Sequence, residues 1–262
     1  MKRIYKTKTE PNILKEFRLK HPCQTWTYFH QHRRGGYRQV KETIIRDQHG
    51  LCAYCETAIV RARTEEEVDD FRVEHFYPKS GTEKSAHNYH LDWQNLIGVC
   101  HGGSQPGVPE AMKRFSSRQI DRSCDVLKGD KNLTKEILNP LTIPMDRLWC
   151  FSEFDGTMYV DALSCPEHLQ DRAQNTIEEL NLNAPRLCRM RKEVIEKIGT
   201  ELVNMVAEGT KIDDALEILA VAFLAPDERG MCLPYFSAIR WYLGNGAERM
   251  IDKFLHRHKE DK

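Results

Sequence analysis

The sequence predicts an α+β fold in which a small sheet is set between helical N- and C-terminal segments. Three observations predict it. Phe71 to Phe76 and Asn95 to Cys100 are short apolar runs of strand length within a loop-rich stretch. From Pro166 onward, apolar residues recur every three or four positions, the period of an amphipathic helix. Cys52 and Cys55 form a C-x2-C, with Cys100 and Cys124 further along, a pattern that lets a metal hold together a sheet too small to do so alone.

The elements follow in order. Tyr37 to Gln48 puts Val40, Ile44 and Ile45 on one helical face and stops before Gly50, delivering the chain to Cys52. Strands and loops then extend to about Lys135, with Pro78 to Gly81 as punctuation and a Gly/Pro-rich loop at His101 to Pro109. Beyond Asn139-Pro140, Leu148 to Phe154 and Thr157 to Val160 flank Asp155-Gly156, a strong hairpin signal. Asn183 is placed to cap a helix with Pro185 in its first turn and Leu187, Met190, Val194, Ile198, Leu202 and Met205 along one face. Thr210 is placed to cap the next, whose Ile212, Ala215, Leu216, Leu219 and Phe223 share a face before Pro226. The last helix is expected from Pro234 to about Leu243, ended by Gly244-Asn245-Gly246. Three regions result: a basic helical segment at 1–50, a core at 51–135, and a hairpin followed by mainly helical chain at 136–262.

Composition narrows the class. The 262 residues are 40% hydrophobic and 30% charged, enough for a folded core, so wholesale disorder is excluded. The longest apolar run, Ile218 to Ala225, is eight residues, short of the roughly 18 a membrane helix needs, and the expectation is a soluble cytoplasmic protein without membrane contact. Nine cysteines, an odd number, do not suit a disulfide framework. Net charge is zero, but residues 1–50 hold twelve Lys and Arg against four acids, an asymmetry that suits either polyanion contact or a solvated helical face.

The chemically dense stretch contains Cys52-Ala53-Tyr54-Cys55, then Glu74-His75 with Pro78 close behind, then Asp92-Trp93-Gln94-Asn95-Leu96, Cys100, and Cys124-Asp125-Val126-Leu127-Lys128-Gly129-Asp130. Cys52, Cys55, Cys100 and Cys124 are the natural set for a tetrahedral structural zinc. Over these residues the chain resembles the HNH endonucleases, and more narrowly the HNH subunits of bacterial anti-phage systems, the PtuB type of Septu and retron-associated relatives. The family's second cysteine pair is a C-x2-C, whereas 23 residues separate Cys100 from Cys124 here, which makes His101 a substitute ligand to consider.

The resemblance implies a small ββα-metal core and assigns its roles. His75 is then the general base, and Glu74 a ligand for a catalytic magnesium or manganese ion. Adjacent residues on an extended strand face opposite ways, so a turn at the strand end is expected to bring both to one site. Asp125 falls where the family places its last His or Asn, giving the cation a second carboxylate. Asn95 matches the middle Asn, whose side-chain carbonyl is expected to orient the His75 imidazole. Taken singly, Asn95 and Asp125 would read as an ordinary turn residue and a helix-start acid.

Lys128, near Asp125 on a helix face, is a candidate phosphate contact. The insertion from His101 to Ser123 carries Lys113, Arg114, Arg118 and Arg122, read either as a flap along the substrate backbone or as a solvated helix. His87 and His90 read as exposed loop histidines, with extra phosphate or metal contacts as the alternative, and Trp93 as a core plug beneath the hairpin rather than a base-stacking residue. By resemblance the chain works with an ABC/AAA-type ATPase subunit of the PtuA kind; it has no G-x-x-x-x-G-K-[ST] phosphate loop of its own. The expected activity is metal-dependent phosphodiester hydrolysis, with DNA favoured and RNA kept open. A catalytically silent zinc module and a stand-alone restriction-type HNH enzyme are the competing readings.

Overall fold

A computed structural model describes residues 1–7, 9–79, 87–144 and 147–260, the last without the side chains of 252–260. Lys8 and the Ser80-Gly81 part of the expected punctuation lie outside the described residues.

Three helices open the chain: α1 (Asn12–Lys20), α2 (Trp26–His32) and α3 (Arg34–Asp47). The sequence pattern had indicated only the last, three residues shorter at its start. Thr25 caps α2, its hydroxyl accepting the Tyr28 N–H at 3.2 Å. The helices bury Leu14, Phe17, Trp26, Phe29, Val40 and Ile44 against Phe71, Leu91, Trp93 and Leu96. The basic segment is therefore a folded helical layer.

Strands β1 (Arg72–His75) and β2 (Leu96–Val99) pair antiparallel, with Arg72 opposite Val99 and His75 opposite Leu96. All of β2 is buried because it divides two cores. Leu96 faces the N-terminal cluster, whereas Ile97 and Val99 join a larger one with Tyr54, Phe76, Ile137, Trp149, Ile177 and Leu187. The 23-residue insertion carries the short α4 (Ala111–Arg114), and α5 (Asp125–Lys128) follows as a single turn against the hairpin. Two strands and this turn form the ββα unit.

Beyond it, β3 (Trp149–Phe151) and β4 (Met158–Val160) form the expected hairpin, Phe151 opposite Met158. Gly156 has φ +74°, and a Cβ there would sit 2.1 Å from the Cys188 carbonyl oxygen, so the turn requires glycine for both conformation and space. Next come α6 (Glu167–Glu179), α7 (Pro185–Ala207), α8 (Ile212–Leu224) and α9 (Phe236–Glu260).

Two predicted caps differ. Asn183 spends its side chain on Met158 of β4, accepting its N–H at 2.8 Å and donating to its carbonyl at 2.9 Å, and α8 begins after Lys211 without a side-chain cap. Gly244 breaks α9, with φ 51° and ψ −125°, but does not end it. The chain resumes because Ala247, Met250 and Ile251 pack with Leu219 and Leu224 of α8. No helix among the described residues is long and apolar enough to cross a membrane.

Candidate functional site

The four cysteines predicted as a set come together. Cys52 and Cys55 sit on a tight knuckle in which Glu56 donates its N–H to the Cys52 carbonyl, and Ala53 donates to Gly98 of β2 at 2.9 Å. Cys100 ends β2 and Cys124 precedes α5. Sγ separations are 3.6 Å for Cys55–Cys100, 3.9 Å for Cys100–Cys124 and 4.0 Å for Cys52–Cys124. All four thiols are buried and none forms a disulfide, so the cluster is able to hold a structural metal.

The long spacing between Cys100 and Cys124 is resolved at Gly102. Its carbonyl accepts the Ser123 N–H at 3.1 Å, and a Cβ there would lie 2.1 Å from the Ser123 carbonyl oxygen. The insertion is thus looped out between Gly102 and Ser123, and the two cysteines meet as if only a short turn lay between them. His101 is not a ligand in this arrangement: its Nε2–H donates to the Asp69 carbonyl at 3.1 Å and its main-chain N–H to Asp70 at 2.7 Å.

Alternation along β1 sorts the next residues. Arg72 and Glu74 face α5; Val73 and His75 face the N-terminal helices. Arg72 holds Asp125 by one hydrogen bond, Nη2 to Oδ1 at 2.9 Å, and by an ion-pair contact, Nε to Oδ2 at 2.7 Å. Lys128 is buried, its Nζ 2.6 Å from Glu74 Oε1 and 3.2 Å from the His75 carbonyl. Burial pushes the Asp125 carboxyl up to about 7, opposed by Arg72 and reinforced by the nearby charge of Glu74. The Tyr54 hydroxyl, fully buried and electrostatically coupled to both carboxylates, has no hydrogen-bond partner among the described residues.

On the opposite face His75 is buried. Its Nε2 lies 3.0 Å from the His90 carbonyl, which only accepts, so Nε2 carries the proton and Nδ1 keeps its lone pair. Burial lowers its pKa to about 3, leaving the ring neutral at ordinary pH. The Trp26 ring meets it edge-on at 5.4 Å. The chain bends at the expected strand end, at Phe76 and Tyr77, but Glu74 and His75 keep opposite faces because β1 stays paired through His75 opposite Leu96.

Asn95 also differs from expectation. It does not bond the imidazole: its Oδ1 accepts the Tyr77 N–H at 2.7 Å, and its Nδ2 donates to the Tyr77 and Tyr89 carbonyls, both at 3.0 Å. It staples the two sides of the loop that presents the His90 carbonyl. Asn88 ties that loop to the N-terminal segment by donating to the Pro22 and Gln24 carbonyls at 2.7 and 2.9 Å. Trp93 is buried as expected. His87 pairs with Asp92 at 2.8 Å.

The predicted substrate cations separate. Lys113 and Arg118 are exposed, Arg118 lying 3.6 Å from Asp121. Arg114 is buried, its Nη1 donating to the Ala58 carbonyl at 2.8 Å and to Asp70 at 3.1 Å. That pair anchors the insertion to the 58–70 stretch and does not bring Arg114 to a substrate path. Arg72, Tyr54 and the His90 carbonyl escaped the sequence reading. Of these only Arg72 left a signal, its two-residue offset from Glu74.

The chain is 35% identical over 216 residues to an Escherichia coli protein named "Retron Ec83 putative HNH endonuclease", covering 74% of this chain and 79% of that protein. The chain belongs to the HNH endonuclease family. No family model matches it. As an HNH nuclease it is an enzyme, and the match spans enough of both chains to take in much more than the ββα unit.

Proposed function

We propose that this nuclease hydrolyses nucleic-acid phosphodiester bonds, DNA in preference to RNA, with Glu74 and Asp125 as ligands for a magnesium or manganese ion on the α5 face of β1 and His75, on the other face, as general base toward a phosphate held at the strand end where the two faces meet. The observation that carries the proposal is the His75–His90 hydrogen bond. A ring held neutral, with Nε2–H donated to a fixed carbonyl, offers Nδ1 to take a proton from an attacking water. The oxygen donors suit a hard divalent cation: two coupled carboxylates, one raised to about 7, lie beside a buried phenol that lacks a partner. Bound there, such an ion supplies positive charge to the scissile phosphate and leaving oxygen. Lys128 and Arg72 hold the carboxylates in place and keep cationic charge beside them. Lys113 and Arg118 add exposed charge on the insertion.

The thiol quartet suits zinc. With bonds of about 2.3 Å, tetrahedral zinc would set sulfurs roughly 3.8 Å apart; three of the separations run from 3.6 to 4.0 Å, and all four sulfurs lie within 4.8 Å of one another. Main-chain N–H groups of Cys100 and Gly102 already point at Cys52 and Cys100 sulfurs, each at 3.4 Å, as thiolates require. The relative's retron name supports a place in a retron-type defence system, and the resemblance to the HNH subunits of Septu is what suggests an ABC-type ATPase subunit of the PtuA kind as partner.

The test is cleavage of DNA and RNA under magnesium or manganese, with and without that ATPase. Cleavage by the wild type and its loss in His75→Ala are expected. Intact substrate throughout, or equal cleavage by His75→Ala, overturns the reading. Metal analysis separates the sites, since zinc should vanish with Cys52→Ser and persist in Glu74→Ala.

A further inference from the structure

The three cations that end α2 and open α3 have no counter-charge. Arg33, Arg34 and Arg38 are exposed, and none forms an ion pair among the described residues. The acids of the first fifty residues are mostly committed elsewhere. Glu10 holds Arg18, Glu42 faces Arg61 at 3.8 Å, and buried Asp47 accepts the Thr7 N–H at 3.0 Å. Glu16 stands on α1. The start of α3 has no acid in its first turn.

This patch lies over the side of β1 that carries His75, with a packed row of rings between them. His30 lies 4.0 Å from Tyr37, Tyr37 lies 5.7 Å from Trp26, and Trp26 lies 5.4 Å from His75. The row is buried at Trp26 and reaches the surface at His30 beside the arginines. Among the other candidate cations, Arg114 and Lys128 are buried in ion pairs and Arg118 lies 3.6 Å from Asp121, which leaves the exposed Lys113 on the insertion.

We propose that the α2–α3 turn is the track along which the substrate's phosphodiester backbone reaches His75, held by Arg33, Arg34 and Arg38. The proposal rests on the nuclease reading of the same site and adds where the strand lies. Guanidinium groups on an exposed turn neutralise phosphates without reading base edges, so the grip is independent of sequence. In a chain of zero net charge this local patch supplies the electrostatic attraction that the whole molecule lacks.

The experiment measures binding of the full chain to labelled duplex DNA, and to RNA of the same sequence, by fluorescence anisotropy over a salt series without added divalent cation. The variants are Arg33→Gln/Arg34→Gln/Arg38→Gln, the corresponding triple lysine change, and a comparator with the same charge change on the C-terminal helices, Arg189→Gln/Lys197→Gln/Lys211→Gln. Circular dichroism verifies folding. The glutamine triple should bind at least ten-fold more weakly on duplex DNA, with a log–log salt slope shallower by about two to three, since each lost phosphate contact removes about 0.9. Lysine should restore most of the affinity, and the comparator should stay near wild type. In cleavage the glutamine triple should raise KM with kcat changed less than about two-fold, as expected for loss of uniform binding. Wild-type affinity and slope in the glutamine triple, or an equal loss in the comparator, overturns the track. Because binding is read apart from cleavage, a chain that binds through these arginines but cleaves nothing sinks only the nuclease reading. A loss on DNA alone assigns the track to DNA, and an equal loss on both assigns it to the shared backbone.

Discussion

His75 donates its Nε2–H to the main-chain carbonyl of His90 at 3.0 Å, which makes a loop 15 residues away the part that fixes the tautomer of the proposed base. A carbonyl cannot change protonation, so the imidazole's orientation depends on how firmly that loop is held. Asn95 and Asn88 hold it, one from within the hairpin and one from the N-terminal segment.

Asn95→Ala should therefore damage both fold and activity. It strands the Tyr77 N–H and leaves two carbonyls short of a donor, a cost of about 1 to 3 kcal/mol per buried unpaired group. A misplaced His75 should cost on the order of 100-fold in kcat. Asn88→Ala, at a more exposed position, should lose less stability yet still lower kcat. Urea unfolding and single-turnover cleavage separate the two effects. Unchanged kcat in both variants would show that the loop does not position the base.

The legible parts were those whose chemistry is restricted to few residue types. Four cysteines at knuckle positions and Asp155-Gly156 at a hairpin turn have few alternative uses, and both arrangements form. Helices α1 and α2, nine and seven residues long, left too little periodicity, and their Phe17, Trp26 and Phe29 become core only against Phe71, Leu91 and Trp93 from elsewhere in the chain. Charge type misled at Arg114, because nothing local reveals that Asp70, 44 residues away, is buried beside it. Asn95 was picked out for its position, but its partners are main-chain groups, which leave no trace in sequence.

If the cysteine cluster holds its proposed zinc, removing that ion should unfold more than the knuckle. The cluster lies inside the largest core, among Tyr54, Ile97, Val99 and Leu187, and without an ion it would leave four buried thiols close together. Chelation, or Cys124→Ser, should lower the melting temperature by more than about 10 °C, given the several kcal/mol a structural site contributes. Calorimetry with parallel zinc analysis checks this. An unchanged transition in zinc-free protein would remove the structural role.

Tyr54→Phe separates stability from chemistry. The phenol is fully buried with no partner among the described residues, so deleting its oxygen should leave the metal-free fold as stable or more stable, by up to about 1 to 3 kcal/mol. If the hydroxyl serves the carboxylate site, the same change should raise the magnesium concentration needed for half-maximal cleavage by several-fold. Stability that falls instead would mean that the hydroxyl has a partner in the resting protein.

Lys6 should give the fold a recognisable pH dependence. Its ammonium donates to the carbonyls of Trp93 and Leu96, the latter at 2.6 Å, and lies 3.4 Å from the Trp93 ring centroid. Burial pulls its pKa down from the usual 10.5 to about 7, with Asp47 and Asp92 only partly offsetting the shift. Below about pH 7 both folded and unfolded chains hold the proton, and the full cost of burying the charge is present. Between there and the unfolded value the unfolded chain keeps a proton that the folded chain has released, so stability rises with pH, by up to about 1.4 kcal/mol per unit for one proton. The N-terminal amine and Lys2, both lowered mainly by burial, act in the same direction. Lys6→Met should therefore reduce the slope of unfolding free energy between pH 7 and 9 without abolishing it. Equal slopes in variant and wild type, measured by urea unfolding at each pH, would show that Lys6 keeps its charge in the folded protein, held by the two carbonyls and the indole face.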